Sequence, residues 1–125
     1  MYHLLLVAAG GAIGASARHL VNVAALRIVG PGFPWATLTV NIVGCFLMGV
    51  VVEILARRYG GSNELRLFVA TGILGGFTTF SAFALDFAVL HERGALFQAF
   101  GYAAASVLLS LAALFAGLAL ARSLA

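Results

Sequence analysis

Four long apolar segments, joined by short polar connections, constrain this chain more than any other feature of its sequence. They cover residues 4–28, 35–56, 67–90 and 95–121. Each reaches the roughly 20 residues that a helix needs to cross the hydrocarbon core of a bilayer. Because 63% of the 125 residues are hydrophobic and only 9% are charged, too few polar side chains remain to cover a soluble domain. The sequence therefore predicts an all-α membrane protein, with residues 1–125 forming a single domain of four transmembrane helices.

The composition also argues against several classes of function. No histidine, cysteine and acidic residues have the spacing of a metal site, and no nucleophile stands with a base and an orienting group, so we expect no enzyme. The seven basic residues are arginines without a run or a basic helix face, so we expect no nucleic-acid partner. Cys45 is the only cysteine and cannot form an internal disulfide; we expect it to be a small packing residue.

The arginines near the ends of the segments leave the orientation of the chain nearly undecided. With four spans, the two termini and the connection 57–66 lie on one side of the membrane. The arginines on that side are Arg57, Arg58, Arg66 and Arg122. The arginines on the other side are Arg27 and Arg93, with Arg18 added if it reaches that interface. Since positive charge selects the cytoplasmic side, either all copies insert alike, or copies insert both ways and pair as an antiparallel homodimer.

The middle of the third segment contains residues that oppose a continuous helix. Two glycines, Gly75 and Gly76, are followed closely by two threonines, Thr78 and Thr79. A break at membrane depth must face protein or a polar cavity, because unpaired backbone groups are costly in lipid. Freed carbonyl oxygens there can coordinate a cation such as sodium. The alternative is that the glycines allow close helix contact while the hydroxyls bond back to their own helix.

Asn41, Phe80 and Phe83 are candidates for a site inside the helix bundle. Asn41 lies about six residues into the second segment, where its amide must find a partner and therefore points inward. It either bonds a neighbouring helix or offers donors to a ligand. Phe80 and Phe83 share one helix face just after the glycines and threonines. Their rings either pack against lipid or core, or present their positive edges to an anion.

The fourth segment carries hydroxyl groups at every fourth residue, at Tyr102, Ser106 and Ser110. This spacing predicts one stripe of hydroxyls along a helix. Such a stripe can pass a small ion by successive hydrogen bonds, or it can hold helices together.

The first segment has small residues on one face, including Gly10 and Gly14, which indicate close packing on a neighbouring helix. Arg18 ends that face. Its side chain either extends to the membrane interface or draws anions into a vestibule.

Three stretches of the sequence together resemble the Fluc family of fluoride channels, also called CrcB. They are "GGAIGASARH", "FPWATLTVNIVGCFLMG" and "TGILGGFTTFSAF", in that order, and the third is the most specific. The resemblance extends over the whole chain. Three residues depart from the family pattern: His19 stands where tyrosine is common, Ala36 where glycine is common, and Asp86 where glutamate is frequent.

The resemblance implies an antiparallel, dual-topology homodimer with two pores, a third helix broken near its middle, and passive efflux of fluoride across the inner cell membrane. It implies that the pore residues are Asn41, Thr79, Phe80, Phe83, Tyr102, Ser106 and Ser110. It also implies a structural sodium ion at the dimer interface, held by the backbone carbonyls of Gly75 and Thr78. The implied partners are fluoride, membrane lipid and a second copy of the chain.

Two other functions compete with the channel. A small proton-coupled multidrug exporter also uses four short helices, but it needs a titratable carboxylate at mid-membrane, and the first segment has none. A non-transporting tetraspan assembly protein explains the glycine faces, but it does not explain the polar residues at membrane depth.

Overall fold

The computed structural model describes residues 1–124. Within them, four helices are long and apolar enough to cross a membrane, as the sequence predicts. They run over Tyr2–Ile28, Trp35–Arg58, Asn63–Glu92 and Leu96–Leu124. The helices extend up to four residues beyond the apolar segments, because helical hydrogen bonding continues into the polar ends. The chain is therefore a multi-pass membrane protein.

The third span divides into two parts, so we number five helices. The first part is a continuous run of Asn63–Leu65, a π-helical stretch Arg66–Leu74, and Gly75–Phe77. The helices are α1 (Tyr2–Ile28), α2 (Trp35–Arg58), α3 (residues 63–77), α4 (Phe80–Glu92) and α5 (Leu96–Leu124).

Close backbone contact joins these helices in two pairs. A Cβ atom placed on Gly14 of α1 would lie 2.0 Å from the carbonyl oxygen of Ile73 in α3. A Cβ atom on Gly49 of α2 would lie 2.3 Å from the carbonyl oxygen of Leu114 in α5. Only glycine permits such approach, and contacts of this kind hold helices together in lipid. The pairs α1–α3 and α2–α5 form the most extensive helix contacts of the described residues.

The outer surface of the bundle is apolar on all sides. Large side chains such as Phe97 and Phe115 are exposed, at 93% and 65% of their area. The buried core is small and is centred on Tyr102, with Leu38, Leu90 and Ala99 around it. Helices that are apolar on every face are typical of proteins that lipid or a partner subunit surrounds.

Candidate functional site

Two extended residues separate α3 from α4. Thr78 has φ −89° and ψ 159°, and Thr79 has φ −157° and ψ 123°. The glycines that precede them, Gly75 and Gly76, are helical. Local bonds explain part of this geometry, because Thr79 caps α4 by accepting a hydrogen bond at its Oγ1 from the Ala82 amide, at 3.2 Å. A threonine at this position is a good helix N-cap.

Asn41 of α2 satisfies the backbone of Thr79. Its Nδ2 donates to the Thr79 carbonyl oxygen at 3.0 Å, and its Oδ1 accepts from the Thr79 amide at 2.8 Å. The side chain thus replaces the helical hydrogen bonds that Thr79 has lost. The second N–H of Nδ2 has no acceptor among residues 1–124. Asn41 therefore makes the interhelical bond considered above and still keeps one donor.

The carbonyl oxygens near the separation differ in what they bind. The Leu74 oxygen accepts from both the amide and the hydroxyl of Thr78, at 3.0 and 2.9 Å. The Gly76 oxygen accepts from Nε of Arg18 at 3.0 Å. No donor among residues 1–124 reaches the oxygens of Gly75 and Thr78. These two oxygens are the atoms that the sequence resemblance assigns to a cation.

A cavity of about 310 Å³ lies beside the separation, and we call it the hydroxyl cavity. Helices α2, α4 and α5 supply most of its wall. It is lined by Asn41, Cys45, Thr78, Thr79, Phe80, Phe83, Ser106, Val107, Ser110 and Leu111. The structure therefore brings together six of the seven predicted pore residues, which lie far apart in the sequence.

Two hydroxyl groups of the cavity wall are buried and unpaired. Neither Oγ of Ser106 nor Oγ of Ser110 has a hydrogen-bond partner within residues 1–124. Ser106 is only 6% exposed. A helical serine usually bonds the carbonyl one turn earlier, and buried hydroxyls without any partner are rare. Both residues belong to the wall of the hydroxyl cavity.

Two phenylalanines of α4, Phe80 and Phe83, line the hydroxyl cavity. The ring centroids of Phe80 and Phe83 are 5.3 Å apart. Phe80 is 77% exposed, while Phe83 is half-buried and packs on Tyr102 with a centroid distance of 5.2 Å. The Phe80 ring is thus available to a second molecule, and the Phe83 ring is fixed within the chain.

Tyr102 is the predicted pore residue that does not line the hydroxyl cavity. It is fully buried, and its hydroxyl donates to Oδ2 of Asp86 at 3.1 Å. Sequence spacing placed Tyr102 in one stripe with Ser106, but it did not identify Asp86 as a partner from another helix. The hydroxyl stripe is therefore divided: Tyr102 donates to a carboxylate, whereas Ser106 and Ser110 are among the residues that line the cavity.

Arg18 lies at a second cavity of about 240 Å³, which we call the arginine cavity. Its wall is more polar than the wall of the hydroxyl cavity. It is lined by Arg18, His19, Asn22, Ala36, Thr37, Val40, Thr79, Ala82 and Asp86. Thr79 borders both cavities. Arg18 thus lines this cavity and also donates a hydrogen bond to the backbone of α3.

Glu53 and Asp86, the two acids that lie within the apolar segments, are both paired. Asp86 accepts the Tyr102 hydroxyl, and Glu53 accepts from Nε of Arg57 at 2.7 Å and from Nε of Arg122 at 2.8 Å. Neither carboxylate stands alone in an apolar part of the bundle.

Cys45 is a cavity residue that the sequence reasoning assigned to packing. It is partly exposed and lies one helical turn after Asn41, on the same face of α2. The spacing of four residues between Asn41 and Cys45 could have predicted that both side chains lie on one face of α2. The residue before it, Gly44, leaves room for the methyl group of Thr78, which would lie 2.2 Å from a Cβ atom on that glycine.

Comparison with known proteins gives one consistent result. Residues 5–118 match the model of the family described as CrcB-like protein, Camphor Resistance (CrcB). The chain is 68% identical over 124 residues to the fluoride-specific ion channel FluC of Mesorhizobium japonicum, with 99% of each chain covered. It is 61% identical to the protein of that name from Chelativorans sp. and 58% identical to the one from Agrobacterium fabrum, again over 99% of each chain.

Proposed function

The chain belongs to the CrcB family, and we propose that it is a fluoride-selective channel that lets fluoride leave the cell passively. Its relatives that carry the name fluoride-specific ion channel match it over nearly the full length. The residues that line the hydroxyl cavity give a second, independent argument for the function, because their side chains suit a small anion as the ligand.

The donor set of the hydroxyl cavity carries the proposal. Within residues 1–124, the hydroxyls of Ser106 and Ser110 have no hydrogen-bond partner, and one N–H of Asn41 has no acceptor. An unpaired buried polar group costs about 1–3 kcal/mol, so retaining two serines here makes sense if a ligand or water bonds them. An anion accepts hydrogen bonds from all three groups. A cation would be attracted only to the serine oxygens, and the positive hydrogen of the Asn41 N–H group would repel it.

Neutral donors suit fluoride in particular. Fluoride is small and strongly hydrated, so a pore must replace its water with several compact donors at once. Hydroxyl groups, an amide and aromatic ring edges do this without a fixed positive charge that would hold the ion too tightly. Chloride is larger, and a narrow path lined by such groups disfavours it.

The proposed path runs from the arginine cavity past Thr79 into the hydroxyl cavity. Arg18 at the first cavity raises the local concentration of anions. Thr79 borders both cavities, and its backbone is held by Asn41, which keeps the boundary between them in one shape. Phe80 and Phe83, which line the hydroxyl cavity, supply ring edges to the path. We propose that Tyr102 does not line the path itself but lies beside it and donates a hydrogen bond to Asp86.

We include in the proposal a broken third helix that holds a structural sodium ion. The carbonyl oxygens of Gly75 and Thr78 fit such a cation, because no donor among residues 1–124 reaches them. Backbone oxygens are suitable ligands for alkali cations. When bound, the ion supplies positive charge to oxygens that lipid leaves unsatisfied. Arg18 and Asn41 meanwhile engage the neighbouring carbonyls of Gly76 and Thr79.

An antiparallel homodimer with two pores completes the proposal. Four arginines on one side against two on the other, or three if Arg18 is counted, give a weak orientation signal, which allows insertion in both directions. Phe80, which lines the hydroxyl cavity, is 77% exposed in one chain. A second, inverted copy would cover this ring and close the side of the cavity that is open in one chain. Each copy then contributes one cavity, which gives two paths.

We place the protein in the cytoplasmic membrane of the cell, surrounded by lipid. Four apolar helices support the multi-pass topology. Fluoride efflux from the cell requires the path to cross that membrane.

The exporter alternative lacks a suitable acid. Proton-coupled export needs a carboxylate that is free to titrate in the middle of the membrane. Glu53 is bound by two arginines, Asp86 is bound by Tyr102, and α1 contains no acid. An assembly protein without transport leaves the hydroxyls of Ser106 and Ser110 without a purpose.

The test is ion efflux from liposomes that contain the purified protein. Liposomes are loaded with potassium fluoride or potassium chloride, valinomycin carries the compensating potassium, and an ion-selective electrode records release. The proposal predicts rapid fluoride release without chloride release, and no dependence on a proton gradient. Proton-dependent transport of an organic cation would favour the exporter, and absence of any ion flux would favour the assembly protein.

A further inference from the structure

Three arginines come together near the ends of α2 and α5. The carboxylate of Glu53 accepts from Nε of Arg57 at 2.7 Å and from Nε of Arg122 at 2.8 Å, with one arginine on each of its oxygens. Arg58 lies at the same ends, because its Nη2 donates to the carbonyl oxygen of Leu124, two residues after Arg122. We call Glu53 and the three arginines the Glu53 cluster. Its three positive charges and one negative charge leave a net charge of +2.

Most N–H groups of the Glu53 cluster are available to a further acceptor. A guanidinium carries five N–H donors in a flat fork, and within residues 1–124 Arg57 and Arg122 each form a hydrogen bond through Nε alone. Their side chains are 48% and 58% exposed, whereas that of Glu53 is 13% exposed. The carboxylate thus holds two guanidinium groups close together while much of each stays open. Forked donors arranged in this way suit the oxygens of a phosphate.

Joining α2 to α5 accounts for only part of this charge. An arginine in the last turn of a helix interacts favourably with the helix dipole, and one arginine would balance the Glu53 carboxylate. The cluster has two further positive charges. The other acid on this side of the membrane, Glu64, lies 3.8 Å from His3 instead. No acidic side chain of the described residues therefore balances the excess charge, which attracts an anion from outside the chain.

The surroundings of the Glu53 cluster fit a lipid better than a free anion. Tyr59 directly follows Arg58 and is 57% exposed, and tyrosines of membrane proteins are enriched at the level of the lipid headgroups. Leu120 and Leu124, in the last two turns of α5, are 43% and 63% exposed. A ligand here meets positive charge and apolar surface together. A phospholipid offers a phosphate to the first and acyl chains to the second.

We propose that the Glu53 cluster binds the phosphate of an anionic phospholipid, such as phosphatidylglycerol. Arg57 and Arg122 donate to the phosphate oxygens, and Glu53 positions both guanidinium groups. A zwitterionic lipid carries the same phosphate, but the net positive charge of the cluster repels its ammonium group, so the site prefers lipids with a net negative charge. The cluster shares no residue with the hydroxyl cavity or the arginine cavity. The inference therefore does not depend on the proposed function.

Native mass spectrometry of the purified protein in detergent measures the binding, with dioleoyl phosphatidylglycerol and dioleoyl phosphatidylcholine added in separate titrations. The test variant combines Glu53→Gln, Arg57→Gln and Arg122→Gln, so that no carboxylate is left unpaired and the net charge falls by one. The matched control is Arg27→Gln, which also lowers the net charge by one, at an exposed arginine in the last turn of α1. Arg122→Gln alone, which keeps the Arg57–Glu53 pair, is the second variant. A further titration adds inorganic phosphate to the natural chain with phosphatidylglycerol bound.

We expect the natural chain to retain phosphatidylglycerol in preference to phosphatidylcholine. The affinity for phosphatidylglycerol should fall roughly tenfold in the triple variant and less in Arg122→Gln, while Arg27→Gln keeps most of it and inorganic phosphate does not displace the lipid.

The inference is overturned if the natural chain binds both lipids alike, or if Arg27→Gln loses as much affinity as the triple variant. Natural affinity in the triple variant would overturn it too, and Arg122→Gln decides the point if the triple variant does not fold. Displacement by an equal concentration of inorganic phosphate would rule out a lipid as the specific ligand. Ion flux is not measured in this experiment, so its failure leaves the proposed function standing, and failure of the efflux test leaves this inference standing.

Discussion

Asn41 forms two hydrogen bonds with the backbone of one residue, Thr79, using the oxygen and the nitrogen of its side-chain amide at 2.8 and 3.0 Å. The amide thereby takes the place of the helical partners that Thr79 lacks. One N–H of the amide has no acceptor within residues 1–124, and Asn41 lines the hydroxyl cavity. The same side chain thus supports the separation between α3 and α4 and offers a donor to an ion.

Replacing Asn41 with aspartate should abolish fluoride efflux. The carboxylate still accepts from the Thr79 amide, but it repels the Thr79 carbonyl oxygen and offers no donor to the cavity. We expect the free energy of unfolding in detergent to fall by about 1–3 kcal/mol, the usual effect of an unmatched buried polar group. Asn63→Asp is the matched control, since Asn63 is exposed in the first turn of α3, where an acid is tolerated. Full efflux in Asn41→Asp would contradict the role assigned to Asn41.

Replacing Ser106 and Ser110 with alanine should separate conduction from stability. Both hydroxyls are buried without partners, so their removal should leave the free energy of unfolding unchanged or raise it by up to about 1–3 kcal/mol each. Fluoride efflux should fall in each single variant and further in the double variant. If instead the protein loses stability while efflux stays normal, the hydroxyls serve to hold helices together and not to bind an ion.

Changing Phe80 or Phe83 to isoleucine should reduce fluoride efflux strongly, because isoleucine keeps the bulk but lacks a positive ring edge. Only Phe83→Ile should also lower stability, by about 0.5–1.5 kcal/mol, since its ring packs on Tyr102 while Phe80 is exposed. Phe97→Ile on the outer face of α5 is the control, as Phe97 is 93% exposed. Normal efflux in both Phe80→Ile and Phe83→Ile would remove the rings from the account.

Replacing Gly14 with alanine should destabilise the bundle, and replacing Gly11 should not. A Cβ atom on Gly14 would lie 2.0 Å from the Ile73 carbonyl oxygen, whereas nothing lies within 4 Å of one on Gly11. Overpacking of this kind costs about 1–3 kcal/mol or more. Alanine at Gly11 should raise helix stability by up to about 1 kcal/mol. Unfolding of the two variants side by side checks this, and equal stability would mean that α1 and α3 do not pack as described.

Exchanging sodium for a bulky organic cation should weaken the proposed dimer. The carbonyl oxygens of Gly75 and Thr78 then lack a partner, and the melting temperature of the protein in sodium-free N-methylglucamine buffer should fall. The melting temperature is also measured in a lithium buffer, because lithium is an alkali cation smaller than sodium. An identical melting temperature with and without sodium would argue against a bound sodium ion.

The sequence predicted the helices and named candidate residues that the structure places in the wall of one cavity. Apolar length predicted the four spans, because a bilayer requires about 20 apolar residues for each. Polar residues at membrane depth predicted Asn41, Ser106 and Ser110, since buried polar groups in lipid must face one another or a cavity. The structure places these three residues around one space.

The remaining features depend on contacts between distant segments, which spacing along one helix cannot give. Tyr102 was grouped with the serines by its interval of four, yet its hydroxyl binds Asp86 of another helix. Arg18 bonds the carbonyl of Gly76, 58 residues away in the sequence. Cys45 was assigned to packing because free cysteines are usually buried, and only the position of α5 shows that it borders a cavity.

Current through the protein in a planar lipid bilayer tests the central claim most directly. Two solutions with different potassium fluoride concentrations and equal chloride are placed on either side, and the voltage of zero current is measured. A passive fluoride-selective path predicts reversal at the equilibrium potential of fluoride and no shift when a pH gradient is added. Absence of current, or reversal at the potential of potassium, protons or chloride, would contradict the account.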